Sequence, residues 1–198
     1  MCSSSNQTRR TILLTALATA VGLKTGEAAV AADEEQPGAD ERPKKDDLLV
    51  FSEGDHAGQT IKPQDLPLGG EPVHAWPKDP STEVVRSASR LNEILLVRLD
   101  PAELDDDTRA RAADGIVAYS AICTHAGCPV TEWVKGSGGD RDVFKCPCHN
   151  SEYDPRQSAQ VVFGPAPRRL AALPLAIADD SLRIAAPFAG KVGAPQGG

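Results

Sequence analysis

A chain of 198 residues with a net charge of −7 has room for one domain of ordinary size plus tails. With 17 glycines, 16 prolines and only 4% aromatics, it reads as a loop-rich β protein with a modest core stiffened by something covalent or metallic. The acidic balance argues against nucleic acid as a partner and suits a basic protein surface.

In chain order, the first feature is a targeting segment. Arg9 and Arg10 stand directly before an uncharged, mostly apolar run of 13 residues, Thr11 to Leu23. A membrane span takes about 20 residues, so this run fits the apolar stretch of a signal peptide over residues 1–31, with "AVA" at 29–31 as the cleavage site. The paired arginines resemble a twin-arginine signal. A Sec-type signal and an uncleaved short anchor are the alternatives, and all three place the domain outside the cytoplasm. Residues 32–47, "ADEEQPGADERPKKDD", offer no apolar face and are expected to form a flexible, solvated linker. The folded domain is expected over 48–188, with a disordered tail at 189–198.

Within the domain the signals are mostly strands. "LLVF" at 48–51 is a short apolar run. "TEVVR" at 82–86 and "NEILLVRL" at 92–99 are expected to pair as a hairpin around "SASR". "DPAELDDDTRARAADG" at 100–115 is the one short helical signal, with Asp100 as cap, Pro101 in the first turn and Gly115 at the end. "GIVAYSAIC" at 115–123 and "DVFKC" at 142–146 return to strand character. "ALPLAIADDSLRIAA" at 172–186 reads as a hairpin turning at Asp179, Asp180 and Ser181. The fold class is therefore mainly antiparallel β. Trp76 is expected in the core or on a docking surface, and His56 and His74 as ordinary surface or structural residues.

Four of the five cysteines and two of the four histidines fall in two short pieces, "CTHAGC" at 123–128 and "CPCHNS" at 146–151. Cys123 and His125 can close on one metal atom from one loop, and Cys146 and His149 from the other. Two thiolates and two neutral imidazoles suit a tetrahedral zinc. They equally suit a two-iron cluster with sulfur on one iron and nitrogen on the other, and spacing alone does not choose. Cys128 and Cys148, one per piece in matching positions, are not needed by zinc. Two loops folded around a cluster would bring them near each other.

At these residues the chain resembles the Rieske iron–sulfur proteins. The resemblance runs over roughly 115–167 and a little beyond, and implies a Rieske-type β-sandwich with a small cluster-binding subdomain, about 115–167, at one end. It implies one [2Fe–2S] cluster, with Cys123 and Cys146 on one iron and His125 and His149 on the other. It also implies a disulfide from Cys128 to Cys148 between the two loops. The family's ferredoxins and ring-hydroxylating dioxygenases lack that second cysteine pair, so the resemblance is to the high-potential branch.

After His149 comes "NSEYD". Ser151 and Tyr153 occupy positions whose hydroxyls, in the quinol-oxidising members, donate to a bridging sulfur and to a ligand cysteine sulfur. Reduction adds negative charge and such donors stabilise it, so the potential rises. "GPAP" at 164–167 resembles the proline-rich loop that covers the cluster in cytochrome bc-type members. The implied function is electron transfer as the iron–sulfur subunit of a quinol:cytochrome c oxidoreductase, not catalytic alone. Its partners would be quinol and cytochrome b and cytochrome c-type subunits, with His125 and His149 at the reacting edge. Export already folded, with the cluster in place, favours the twin-arginine route to the periplasmic side. The rival is a small subunit serving a molybdopterin catalytic subunit, similar to that of arsenite oxidase, or a soluble periplasmic carrier; a structural zinc module is a third class. Tyr153 and "GPAP" speak against the arsenite oxidase type, for which a phenylalanine and a different loop are expected.

Overall fold

Short apolar runs broken by turn residues give ten strands in the computed structural model, which describes residues 36–194. The signal segment and the final four residues lie outside the described residues. Strands β1 (Leu48–Phe51), β2 (Val73–Lys78), β3 (Ile94–Arg98), β4 (Ile116–Ser120), β9 (Leu175–Ala178) and β10 (Ser181–Ile184) form one sheet in the order β4-β3-β2-β1-β10-β9. Its neighbours are all antiparallel. The sheet curls until its two ends meet, where the Leu173 amide donates to the Ala118 carbonyl at 2.9 Å. The enclosed core takes Leu49, Ile61, Ile94, Leu96, Ile116 and Leu182 among its buried side chains.

A second sheet, β5 (Glu132–Lys135), β6 (Asp142–Cys146), β7 (Ser151–Asp154) and β8 (Gln160–Phe163), runs as an antiparallel meander. It shares a separate core with the other face of β3 and β4, through Leu95, Val97, Val117, Tyr119, Phe144 and Tyr153. The Tyr119 hydroxyl donates to the Pro155 carbonyl at 2.8 Å and ties the larger sheet to the end of β7. The architecture is thus mainly antiparallel β, a sandwich with a smaller cluster-binding sheet at one end. Strand β4 belongs to the larger sheet, so the smaller unit begins after Ser120 rather than at 115.

The hairpin at the end forms as expected, with Asp179 (φ 51°) and Asp180 (φ 56°) in the left-handed region that a two-residue hairpin turn demands. The helical signal at 100–115 resolves into two pieces. Asp100 caps a 3₁₀ turn at Pro101–Glu103, and Asp105 caps α1 (Asp106–Arg109) through the Thr108 amide at 2.7 Å.

Three expectations are corrected. "TEVVR" does not pair with 92–99. Glu83 is left-handed at φ 61°, and Asp79 gathers the Ser81 and Thr82 amides into a turn. The partners of β3 are β2 and β4. The expected flexible linker is ordered from residue 36 onward. Arg86, with only 1% of its surface exposed, donates to Asp47 at 2.8 Å, Glu41 at 2.6 Å, Asp79 at 3.0 Å and the Gly38 carbonyl at 3.1 Å. A buried guanidinium demands such partners, and they come from the acidic stretch that composition alone marks as solvated. The expected disordered tail is likewise anchored through residue 194. Ala189 exchanges backbone hydrogen bonds with Ala172, and Arg168 donates to the Gly193 carbonyl at 2.5 Å.

Candidate metal centre

The first loop leaves β4 and turns back at once: the Cys123 amide donates to the Cys128 carbonyl at 2.8 Å and the Gly127 amide to the Cys123 carbonyl at 3.1 Å. Gly127 takes φ 73° to make that turn. The second loop is the β6–β7 connection, closed by the Asn150 amide on the Cys146 carbonyl at 3.0 Å with Asn150 left-handed at φ 58°. Together they bring all four candidate ligands to one end of the smaller sheet. Cys123 and Cys146 are buried free thiols lying beside each other. The His125 and His149 rings stand edge to face, with centroids 4.6 Å apart. His149 is exposed and His125 half-buried, so sulfur faces the protein and imidazole faces out.

The structure joins Cys128 to Cys148 in a disulfide, with Cα atoms 6.6 Å apart. Both its sulfurs lie within 4.8 Å of the Cys146 sulfur, so the bridge packs directly against a candidate ligand. As bonded sulfurs they are not ligands themselves.

The hydroxyls surrounding the thiols are satisfied in a particular way. The Thr124 amide donates to the Tyr153 hydroxyl oxygen at 3.3 Å, and that oxygen sits 3.1 Å from the Cys123 sulfur. Tyr153 has one proton to give, and sulfur is the acceptor left for it. Burial holds this phenol well above its ordinary pKa, with the neighbouring Cys123 sulfur adding to the shift, so it stays a donor. Ser151 is fully buried and its oxygen accepts from the Ala166 amide at 3.1 Å. No acceptor for the Ser151 proton is found among the described residues. Ala166 belongs to "GPAP", which folds over the second loop. Gly164 at its head has φ 90°, and a Cβ there would lie 2.6 Å from Ser151 Cα and 2.7 Å from the Asn150 carbonyl. Only glycine permits that approach.

The donor set fits an iron–sulfur group. His125 Nδ1 is buried with no hydrogen-bond partner, an orphan that a metal bond would satisfy. Burial pushes the Cys146 thiol up, and the adjacent Cys123 raises it further, so without a metal the pair resists ionisation and binding must release its protons. The unspent Ser151 proton awaits an acceptor that the protein does not supply.

The match to known proteins agrees with this geometry. The model of the Rieske [2Fe–2S] domain matches residues 72–174. The chain belongs to the Rieske family. Its domain holds one [2Fe–2S] cluster and serves electron transfer. The cytochrome bc1 complex Rieske iron–sulfur subunit of Streptomyces lividans is 30% identical over 132 residues, 63% of this chain and 72% of that one. The corresponding subunit of Mycobacterium tuberculosis H37Rv is 31% identical over 140 residues, of which this chain spans only 32% of the length. A protein of Haloferax mediterranei described as a respiratory nitrate reductase subunit Rieske is 41% identical over 80 residues, 40% of this chain and 34% of that one.

Sequence reasoning passed over two residues that hold this end together. The Thr124 hydroxyl donates to the Arg168 carbonyl at 2.5 Å and ties the first loop to the segment after "GPAP". Arg90 donates to the Gly127 carbonyl at 2.6 Å. Thr124, between two candidate ligands and fully buried, carried a readable signal; Arg90, 37 positions from its partner, carried none. His74 pairs with Glu93 at 2.7 Å and His56 lies exposed, both away from the two cluster loops.

Proposed function

We propose that this chain is the iron–sulfur subunit of a quinol:cytochrome c oxidoreductase, exported with its cluster to the periplasmic side of the membrane. The observation that carries the reading is the Tyr153 hydroxyl 3.1 Å from the Cys123 sulfur. A donor there favours the added electron and raises the potential toward what quinol oxidation needs. The Cys128–Cys148 bridge supports an oxidising compartment, and the named bc1 relatives support cytochrome-type partners.

In this reading Cys123 and Cys146 hold one iron and His125 and His149 the other. The cluster, once bound, exchanges one electron at a time. The remaining residues set its surroundings. Tyr153 and Ser151 give hydrogen bonds to sulfur. Gly164 to Pro167 cover the sulfur side against water. His149, exposed, accepts a hydrogen bond from a quinol hydroxyl on the ring nitrogen that does not bind metal. Proton and electron affinity at such a site are linked: whatever raises one raises the other.

Two measurements test this. Quinol should reduce the cluster in complexes purified from the native membrane, and the midpoint potential should fall as pH rises from neutral to alkaline. A potential flat across that range, with no reduction by quinol, removes the reading. The Haloferax relative keeps a second reading open, a small subunit that passes electrons to or from a molybdopterin protein. Metal analysis of the purified complex separates the two, because b-type haem accompanies the first and molybdenum the second.

A further inference from the structure

Beside the first cluster loop lies a pocket of about 710 Å³ lined by Arg42, Arg168 and Lys191 together with apolar Pro43, Pro187 and Phe188. Three separate segments of the chain meet there. Its charge runs against that of the molecule, which carries −7. Elsewhere most basic side chains are spent in ion pairs, as at Lys78, Arg86, Arg98, Arg156 and Arg183. None of the three pocket cations has a carboxylate in ion-pair range among the described residues. Arg42 reaches only the Leu91 carbonyl at 3.0 Å and the Asn92 amide oxygen at 3.4 Å. Arg168 reaches only the Lys191 and Gly193 carbonyls. The Arg168 Nε is buried with no acceptor at all, an unmet donor on a residue that also lines the pocket.

We propose that this pocket binds an organic anion through a phosphate-type head group, with Arg168 as the central contact and the Phe188 wall receiving its apolar body. Two guanidiniums and an ammonium converging from different segments suit a multidentate oxyanion better than a single carboxylate. The volume exceeds what a bare ion fills and falls in the range of small-molecule sites. Phosphate chemistry can arrive as a phospholipid head group or as free phosphate, and the test separates them.

Calorimetric titration of the cluster-loaded full chain uses three probes: inorganic phosphate, dihexanoyl phosphatidylglycerol below its micelle concentration, and dihexanoyl phosphatidylcholine as the zwitterionic control. The phosphatidylglycerol is expected to bind, and tighter than phosphate because only it uses the apolar wall. Equal binding of phosphate and phosphatidylglycerol supports the oxyanion site and assigns it to the free ion. Equal binding of both lipids, or binding of none of the probes, overturns the proposal. Arg168→Gln should weaken binding by about tenfold or more, the scale of one charged hydrogen bond. Lys191→Gln, on an exposed side chain, should weaken it less and leave the fold intact. Arg141→Gln, another exposed arginine remote from the pocket lining, should leave affinity unchanged. An affinity that ignores both Arg168→Gln and Lys191→Gln overturns the assignment even if a probe binds.

Discussion

The two sheets of this protein are held together by different physics. The larger one closes around Leu49, Leu96, Ile116 and their neighbours, and each fully buried aliphatic side chain contributes about 1.5–3 kcal/mol by leaving water. The smaller one has little of this. At its functional end it relies on a disulfide, a glycine with no room for a Cβ, and hydroxyls aimed at sulfur. The larger sheet could exchange one aliphatic for another of similar volume at modest cost. The cluster end allows no such exchange, because each of its groups is there for its chemistry. A metal site is therefore grafted onto a scaffold that does not need the metal to close its own core.

The sharpest way to break this contrast is to remove a ligand. Cys146→Ser should abolish the cluster, read as loss of iron and of the visible absorption, while far-UV dichroism from the larger sheet persists. If the whole chain unfolds instead, the two regions are not separately held. Cys128→Ser should come next. A bridge closing a loop of 20 residues is worth about 3 kcal/mol in the chain-entropy account. Heating should then bleach the cluster at a lower temperature than in the parent protein, with the dichroism melt shifted less. A bleaching temperature that does not move would show that the two loops hold themselves.

Tyr153→Phe sharpens the contrast at constant fold. It deletes one hydroxyl from a fully buried ring and leaves the packing against Phe144 and Tyr119 in place. A hydrogen bond of roughly 1 kcal/mol that strengthens on reduction corresponds to a fall of about 40–60 mV for one electron. Ser151→Ala should act in the same direction, and a redox titration of each variant decides. Leu96→Ala is the converse. It should cost about 2–5 kcal/mol of stability in denaturant titration and leave the potential where it was.

The difference between the regions also explains what could be read from sequence. Strands β3 and β4 and the final hairpin announced themselves because burial on both faces makes an apolar run. β2 did not: His74 and Pro77 interrupt it, and Pro77 lies past the end of its pairing with β3. β7 reads "SEYD", four polar or amphipathic residues that are nonetheless buried, because they serve the cluster and not a hydrophobic face. The two loops were legible as a ligand set, since thiols and imidazoles at that spacing have few other uses. Their surroundings were not. That the Thr124 hydroxyl would reach the Arg168 carbonyl depends on a loop 44 positions away. The same blindness misjudged residues 36–47, whose order depends on a cation 39 positions beyond Asp47.

That acidic strap gives the smallest effect, and one with a definite sign in pH. The Glu41 carboxyl is held below its ordinary value by hydrogen bonds from Lys44 first and Arg86 second. Asp79 is lowered to about 2, mainly by the Ser81 hydroxyl and amide, with the Arg86 charge adding to it. Both pKa values are depressed in the folded state. Their contribution is therefore complete above the unfolded carboxylate range, near pH 4, and is lost as pH falls through the folded values toward 2. Since both groups touch water, screening keeps the effect modest. The Ala88 amide, which donates to the Ala39 carbonyl at 3.1 Å, reports on whether the strap is docked. Its hydrogen-exchange protection, corrected for the intrinsic pH dependence, should hold steady from pH 7 to 5 and drop by less than about tenfold by pH 2.5. In Arg86→Met the protection should start low and show no such step, because the cation that both carboxylates share is gone. A step of the same size in the variant would mean that Arg86 does not govern the strap, and that backbone contacts alone hold residues 36–47 in place.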